Sequence, residues 1–122
     1  MVQQWVFDNP DFSAQLKAIP QPKTGVRSAL RQGLRLDLMY EADERKAWMV
    51  YYALLDCAGN LLPEGAVCEG EVQAYFRVMN AELRVTVHKQ RIKPGTRFYV
   101  VIGSAKVAEG IVTEVLGLLN GD

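Results

Sequence analysis

The chain has 122 residues and a mass of 13.6 kDa, and its 14 basic and 14 acidic residues leave no net charge. This length predicts one domain over residues 1–122, and a composition that is 49% hydrophobic and 23% charged excludes a disordered or fibrous chain. A neutral total excludes the long-range attraction on which nonspecific nucleic-acid binding depends.

The first half of the chain predicts three strands, because apolar and polar side chains alternate between turn residues. Residues 12–19 alternate until Pro20, which cannot donate to a ladder. Residues 34–40 place three leucines at alternate positions, which predicts a second strand with one wet face. The charged run at residues 41–46 predicts a solvated hairpin loop. Residues 47–55 then form a nearly continuous apolar strand.

The segment after the turn at residues 63–65 predicts a strand, a helical turn and another strand. Residues 71–78 alternate cleanly, with apolar side chains at every second position. Residues 80–83 predict a single helical turn. Residues 84–88 alternate polar side chains with valines, and we therefore expect a short strand there.

The end of the chain predicts a hairpin. Residues 97–102 and 106–116 flank Gly103 and Ser104, a pair suited to a type II′ turn. Gly110, within the second arm, indicates either a bulge or a close approach to another strand where the sheet curls.

Six or seven short antiparallel strands leave exposed edges unless the sheet closes. The predicted fold is therefore all-β, a small closed or nearly closed antiparallel Greek-key β-barrel of six to seven strands.

The residues that support chemistry are sparse. Cys57 and Cys68 lack the spacing of a metal or redox motif, so we expect two small buried thiols, and the sequence leaves open a disulfide between them. His88 is the single histidine and is expected to be a hydrogen-bonded structural residue. We therefore predict no catalytic group, metal or cofactor, and no enzyme activity.

The chain start and the hydropathy predict a location. Residues 1–5 carry neither a positive region nor an apolar region of a signal peptide, and no window approaches the roughly 18 apolar residues of a membrane span. We expect a cytoplasmic protein without a membrane partner.

Two groups of residues are candidates for binding. The basic segment, residues 84–97, could bind phosphates or an acidic protein face, or it is a solvated barrel rim. Together with the tip of the final hairpin, it gives the predicted partner-binding set: Arg84, His88, Lys89, Arg91, Lys93, Arg97, Gly103 and Ser104. Aromatic side chains could form a stacking platform or pack in the core: Trp48, Tyr51, Tyr52, Tyr75 and Phe76.

The final hairpin resembles the closing hairpin of the C-terminal β-barrel domain (domain III) of elongation factor Tu. Ten positions are shared: Gly95, Arg97, Phe98, Val100, Gly103, Val107, Gly110, Val112, Val115 and Leu116. Upstream, residues 12–19 look like the first strand of that domain, residues 25–27 like its Gly-Tyr-Arg turn, and residues 69–71 stand where it has Pro-Gly-Asp. The resemblance implies a stand-alone, single-domain relative with the same barrel fold.

Two departures from that family bear on the partner. The chain has no Gly-x-x-x-x-Gly-Lys-[Ser/Thr] loop, which excludes GTP as a ligand of this chain. The hairpin tip, residues 101–105, reads Val-Ile-Gly-Ser-Ala where the family has Arg-Glu-Gly-Gly-Arg, the segment that helps hold the T-stem of aminoacyl-tRNA.

Three functions follow as hypotheses. The first is a non-enzymatic module that docks a protein partner on the barrel surface, as the elongation-factor domain does. The second is an RNA- or tRNA-binding domain in translation, which would depend on the basic segment at residues 84–97. The third is an immunity-type protein that neutralises a cognate toxin. The sequence leaves the oligomeric state open.

Overall fold

A computed structural model describes residues 10–21, 30–33 and 35–117, and these residues form a closed barrel. The described strands are β1 Phe12–Ala18, β2 Asp37–Tyr40, β3 Trp48–Leu55, β4 Glu71–Val78, β5 Arg97–Ile102 and β6 Ala105–Val115. All neighbouring strands are antiparallel, in the order β1-β4-β3-β2-β5-β6, and β6 returns to pair with β1. A long connection joins β1 to β2, and β1 pairs with β4 instead of β2, which makes the arrangement a Greek key. The predicted fold class is confirmed.

The alternation along each strand sends every second side chain into the barrel. On β4 the side chains of Val72, Ala74, Phe76 and Val78 are buried, and those between them are more exposed. Phe76 stacks on Phe12 with ring centroids 5.1 Å apart, and both rings meet the ring of Phe98 edge to face. This cluster of three phenylalanines fills the centre, so the interior is a packed core.

A side chain closes the gap between β2 and β3. These strands pair only near the hairpin, and β2 begins at Asp37. Farther along β3, the side-chain amide of Gln32 bonds to the backbone. Its Nε2 donates to the carbonyl oxygens of Leu54 and Leu62 at 3.1 Å, and its Oε1 accepts from the N–H of Leu54 at 3.0 Å. The second strand is therefore shorter than predicted; Leu34 lies outside the described residues, as does the turn at residues 25–27.

Residues 81–92 form a helical cap over the barrel end where β4 ends and β1 begins. The cap consists of α1 Ala81–Leu83, a π-helical turn Arg84–His88 and α2 Lys89–Arg91. Asn80 begins it as an N-cap, because its Oδ1 accepts from the N–H groups of Glu82 and Leu83. The predicted helical turn is confirmed.

The strand predicted over residues 84–88 is wrong. The buried positions in the cap are Arg84, His88 and Ile92, which are four residues apart and therefore share one helical face. Two of the three are polar, so apolar periodicity does not detect this face. The alternating valines that indicated a strand do not lie on this buried face: Val85 is 47% exposed and Val87 is half-buried.

The final hairpin is confirmed. β5 and β6 meet at Gly103 and Ser104, and Gly103 has a φ of 59°, the positive value that the first central position of a type II′ turn needs. Gly110 serves for a close approach, since its backbone lies opposite Phe98 on the neighbouring strand. A Cβ at this position would clash with Cζ of the Phe98 ring and lie 2.6 Å from its Cε2.

Replacing Gly110 with alanine is expected to lower the free energy of unfolding by about 1–3 kcal/mol, because the core is overpacked at Phe98. Urea denaturation measures the loss. Glu109→Ala, at the exposed neighbouring position, is the control and should change stability by less than about 0.5 kcal/mol. A Gly110→Ala protein as stable as that control would contradict the close approach.

Candidate functional site

Arg84 is a structural residue inside the cap. Its side chain forms a two-pronged ion pair with Asp11, with Nη2 2.6 Å from Oδ1 and Nε 3.1 Å from Oδ2. Asp11 is fully buried and also accepts from the N–H of Val78 at 2.9 Å. This contact ties the cap to the start of β1 and the end of β4, so Arg84 does not belong to an accessible partner-binding set.

His88 is also buried in the cap, at 1% exposure. A hydrogen bond joins its Nδ1 to the hydroxyl of Tyr40, and its ring lies edge to face with Trp48 at 5.0 Å. Burial, together with the smaller effect of the nearby Arg91 charge, lowers the pKa of His88 to about 4. The expectation of a hydrogen-bonded structural histidine is confirmed, and His88 too is inaccessible to a partner.

The low pKa of His88 predicts acid sensitivity. In the unfolded chain the imidazole takes a proton near pH 6.5, whereas in the folded chain it stays neutral until about pH 4. Stability is therefore lost as the pH falls from 6.5 to 4, by up to about 3 kcal/mol. Urea denaturation at pH 7.5 and pH 4.5 measures this loss. His88→Phe should show a smaller loss over the same interval, and an equal loss would contradict the assignment to His88.

Four basic residues of the predicted set remain at the surface, namely Lys89, Arg91, Lys93 and Arg97. Two of them line an open cleft of about 540 Å³ at the cap end, together with residues 40–43 and the turn at Gly95 and Thr96. The guanidinium of Arg91 lies over the ring of Tyr40 at 5.2 Å. The cleft thus contains the only part of the predicted basic segment that the described residues arrange around a cavity.

Carboxylates balance the arginines of this cleft. Glu41 and Asp43 line it with Arg91 and Arg97, and Asp43 Oδ2 lies 3.8 Å from Arg91 Nη1. A hydrogen bond from Arg45 lowers the pKa of Asp43, so this carboxyl is ionised at neutral pH. Two positive and two negative charges leave no net attraction for a polyanion.

The predicted hairpin-tip residues lie far from the cleft. β5 crosses the barrel from Arg97 at the cap end to Ile102, so Gly103 and Ser104 lie at the opposite end. The eight predicted residues therefore form no single surface: two are buried, four are exposed in the segment at residues 89–97, and two are at the other end.

The two cysteines are free thiols in different environments. Cys68 is buried, and burial raises the pKa of its thiol. Cys57 is exposed, which corrects the expectation of two buried thiols, because it lies in the turn where Asp56 Oδ1 accepts from Ala58 N and Asn60 N. Both cysteines line a second cleft of about 390 Å³ away from the cap.

The outer face of β3 and β4 carries an array of exposed side chains that the sequence analysis did not assemble. Met79 N–H donates to the carbonyl of Met49 at 3.3 Å, and the register places Tyr51 opposite Arg77 on the next outward rung. We call these four residues the outer array. Met49, Tyr51 and Met79 are 46%, 41% and 38% exposed, and the side chain of Arg77 is 30% exposed.

The outer array combines two methionines, a tyrosine and an arginine. Aromatic residues, methionine and arginine are enriched at interfaces relative to the rest of a protein surface. The array also divides the predicted aromatic platform, since Tyr52 and Phe76 face the core, whereas Tyr51 faces outward. The alternation of β4 could have assigned its odd positions to the outside, whereas the nearly continuous apolar run of β3 carries no such signal.

The described residues contain neither a cluster of metal ligands nor a membrane-spanning helix. Within them, no group of three or more histidine, cysteine, aspartate or glutamate side chains could hold a metal ion. None of the helices in the described ranges is long and apolar enough to cross a membrane. No protein-family model matches the sequence, and no curated protein matches it significantly.

Proposed function

We propose that the protein is a non-enzymatic binding module of the cytoplasm that docks a protein partner on the outer array. The observation that carries the proposal is the pair of exposed rungs, Met49 with Met79 and Tyr51 with Arg77, on one sheet face. The large apolar side chains of the array suit a partner surface with an apolar centre.

Two further observations support a protein partner over RNA. The two arginines that line the cap-end cleft share it with two carboxylates, Glu41 and Asp43, which removes the net positive charge that a phosphate backbone needs. The resemblance to the C-terminal domain of elongation factor Tu also favours docking, because that domain uses its barrel surface to contact neighbouring domains and partner factors. The departures at residues 101–105 remove the charged tip that would favour tRNA.

Site-specific photocrosslinking in the source cells tests the proposal. A photoreactive phenylalanine analogue at position 51 should give a discrete adduct that protease destroys and nuclease does not. The matched control places the same analogue at Glu109, which is exposed on β6 at the opposite side of the barrel and should give no such adduct.

Charge variants sharpen this experiment. Met49→Lys should reduce the adduct at position 51 by about tenfold or more, because it puts a charge in the apolar centre. Glu71→Lys, on the outward side of β4 and away from the array, should leave the adduct intact. An adduct that nuclease destroys would favour RNA, and the absence of any adduct specific to position 51 would contradict the proposal.

A further inference from the structure

The two methionines of the outer array form a cross-strand pair. Val50 lies opposite Val78, and the hydrogen bond from Met79 N–H to the Met49 carbonyl continues that register by one residue. Side chains directly opposite each other in an antiparallel pair lie about 5 Å apart at Cβ. Both side chains are also open to solvent, whereas Met39, on β2, is only 9% exposed.

We propose that Met49 and Met79 are a reversible oxidation site, at which a hydroperoxide converts both thioethers to sulfoxides and releases the protein partner. The release rests on the proposed function. In each reaction the thioether sulfur attacks one peroxide oxygen, an S–O bond forms, and the O–O bond breaks. Sulfur loses two electrons to the peroxide, and the leaving hydroxide or alkoxide takes the proton of the transferred hydroxyl group to become water or an alcohol.

The position of the pair decides what the oxidation changes. A sulfoxide is polar, so two sulfoxides place two strong hydrogen-bond acceptors where the partner would bury apolar side chains. Both residues face away from the packed interior, and the core contacts of β3 and β4 come from the even-numbered positions between them. Oxidation therefore alters binding without unfolding the barrel.

Peptide mass mapping tests the site in protein that carries Cys57→Ser, since the exposed Cys57 thiol is a competing target. With hydrogen peroxide as the oxidant, Met49 and Met79 should each gain one oxygen well before Met39 does. The urea midpoint should stay unchanged once the pair is oxidised. Oxidation of Met39 at the same rate as the pair would overturn the assignment of an exposed, selective site.

The photoadduct at position 51 provides the functional readout. We expect peroxide to reduce it about tenfold or more and a methionine sulfoxide reductase to restore it. In the Met49→Leu/Met79→Leu variant, peroxide should cause no loss of the adduct relative to the untreated sample of the same variant. An adduct that persists after both sulfoxides have formed overturns the oxidation site alone. Absence of the adduct in untreated protein overturns the proposed function and, with it, the release of a partner.

Discussion

Replacing Asp11 with alanine is expected to lower the free energy of unfolding by about 3–5 kcal/mol, because the change breaks a buried ion pair. The substitution leaves the guanidinium of Arg84, only 5% exposed, without its counter-charge. It also removes the acceptor for the N–H of Val78. Urea denaturation monitored by tryptophan fluorescence measures the loss.

Substitution of Arg84, the ion-pair partner of Asp11, tests whether the loss of stability comes from an unpaired buried charge. Arg84→Met alone should also destabilise, because Asp11 is then a buried carboxylate with one remaining short hydrogen bond, from Val78. The double variant Asp11→Ala/Arg84→Met should be more stable than Asp11→Ala, since no unpaired charge remains buried. Glu114→Ala, an exposed acidic position on β6, is the control. An Asp11→Ala protein within about 1 kcal/mol of the wild type would contradict this account of the cap.

Gln32→Leu is expected to cost about 3–5 kcal/mol, because one side chain satisfies three buried or half-buried backbone groups. Leucine has nearly the same volume but leaves the N–H of Leu54 and the carbonyl of Leu62 without their amide partner. The carbonyl of Leu54 loses the amide donor and keeps the bond from Leu62 N–H at 3.0 Å. Thermal and urea unfolding give the change in stability. Hydrogen exchange at the amide of Leu54 should also accelerate if the gap between β2 and β3 opens.

Gln73→Leu is the matched control, because Gln73 is exposed on the outward face of β4. It should change stability by less than about 0.5 kcal/mol. Gln32→Glu keeps the acceptor for Leu54 N–H but loses both donors and buries a negative charge, so it should be at least as destabilising as Gln32→Leu. A Gln32→Leu protein that unfolds like the Gln73→Leu control would show that the amide does not close the barrel.

Local sequence patterns predicted neither the burial of Arg84 and His88 nor the outer array. Exposed basic residues were predicted from composition along the chain, yet Arg84 and His88 are buried, because a helical cap turns their polar side chains inward. The outer array joins Met49 to Met79 across thirty positions of sequence. No local pattern joins them, because their proximity depends on the β3–β4 register, and register is set by which side chains both strands bury.

By itself the sequence determined the local elements whose side chains and turns act over a few residues. The alternation of β1 and β4, the apolar run of β3, the Gly103-Ser104 hairpin and the helical turn after Asn80 all appear as predicted, because pleat, turn and cap energies are local. The tertiary structure alone decided that Gln32 closes the gap between β2 and β3 and that the segment after Asn80 continues as a helix. Both depend on burying polar groups against distant partners, and a buried polar side chain does not contribute to the hydrophobic periodicity of the sequence.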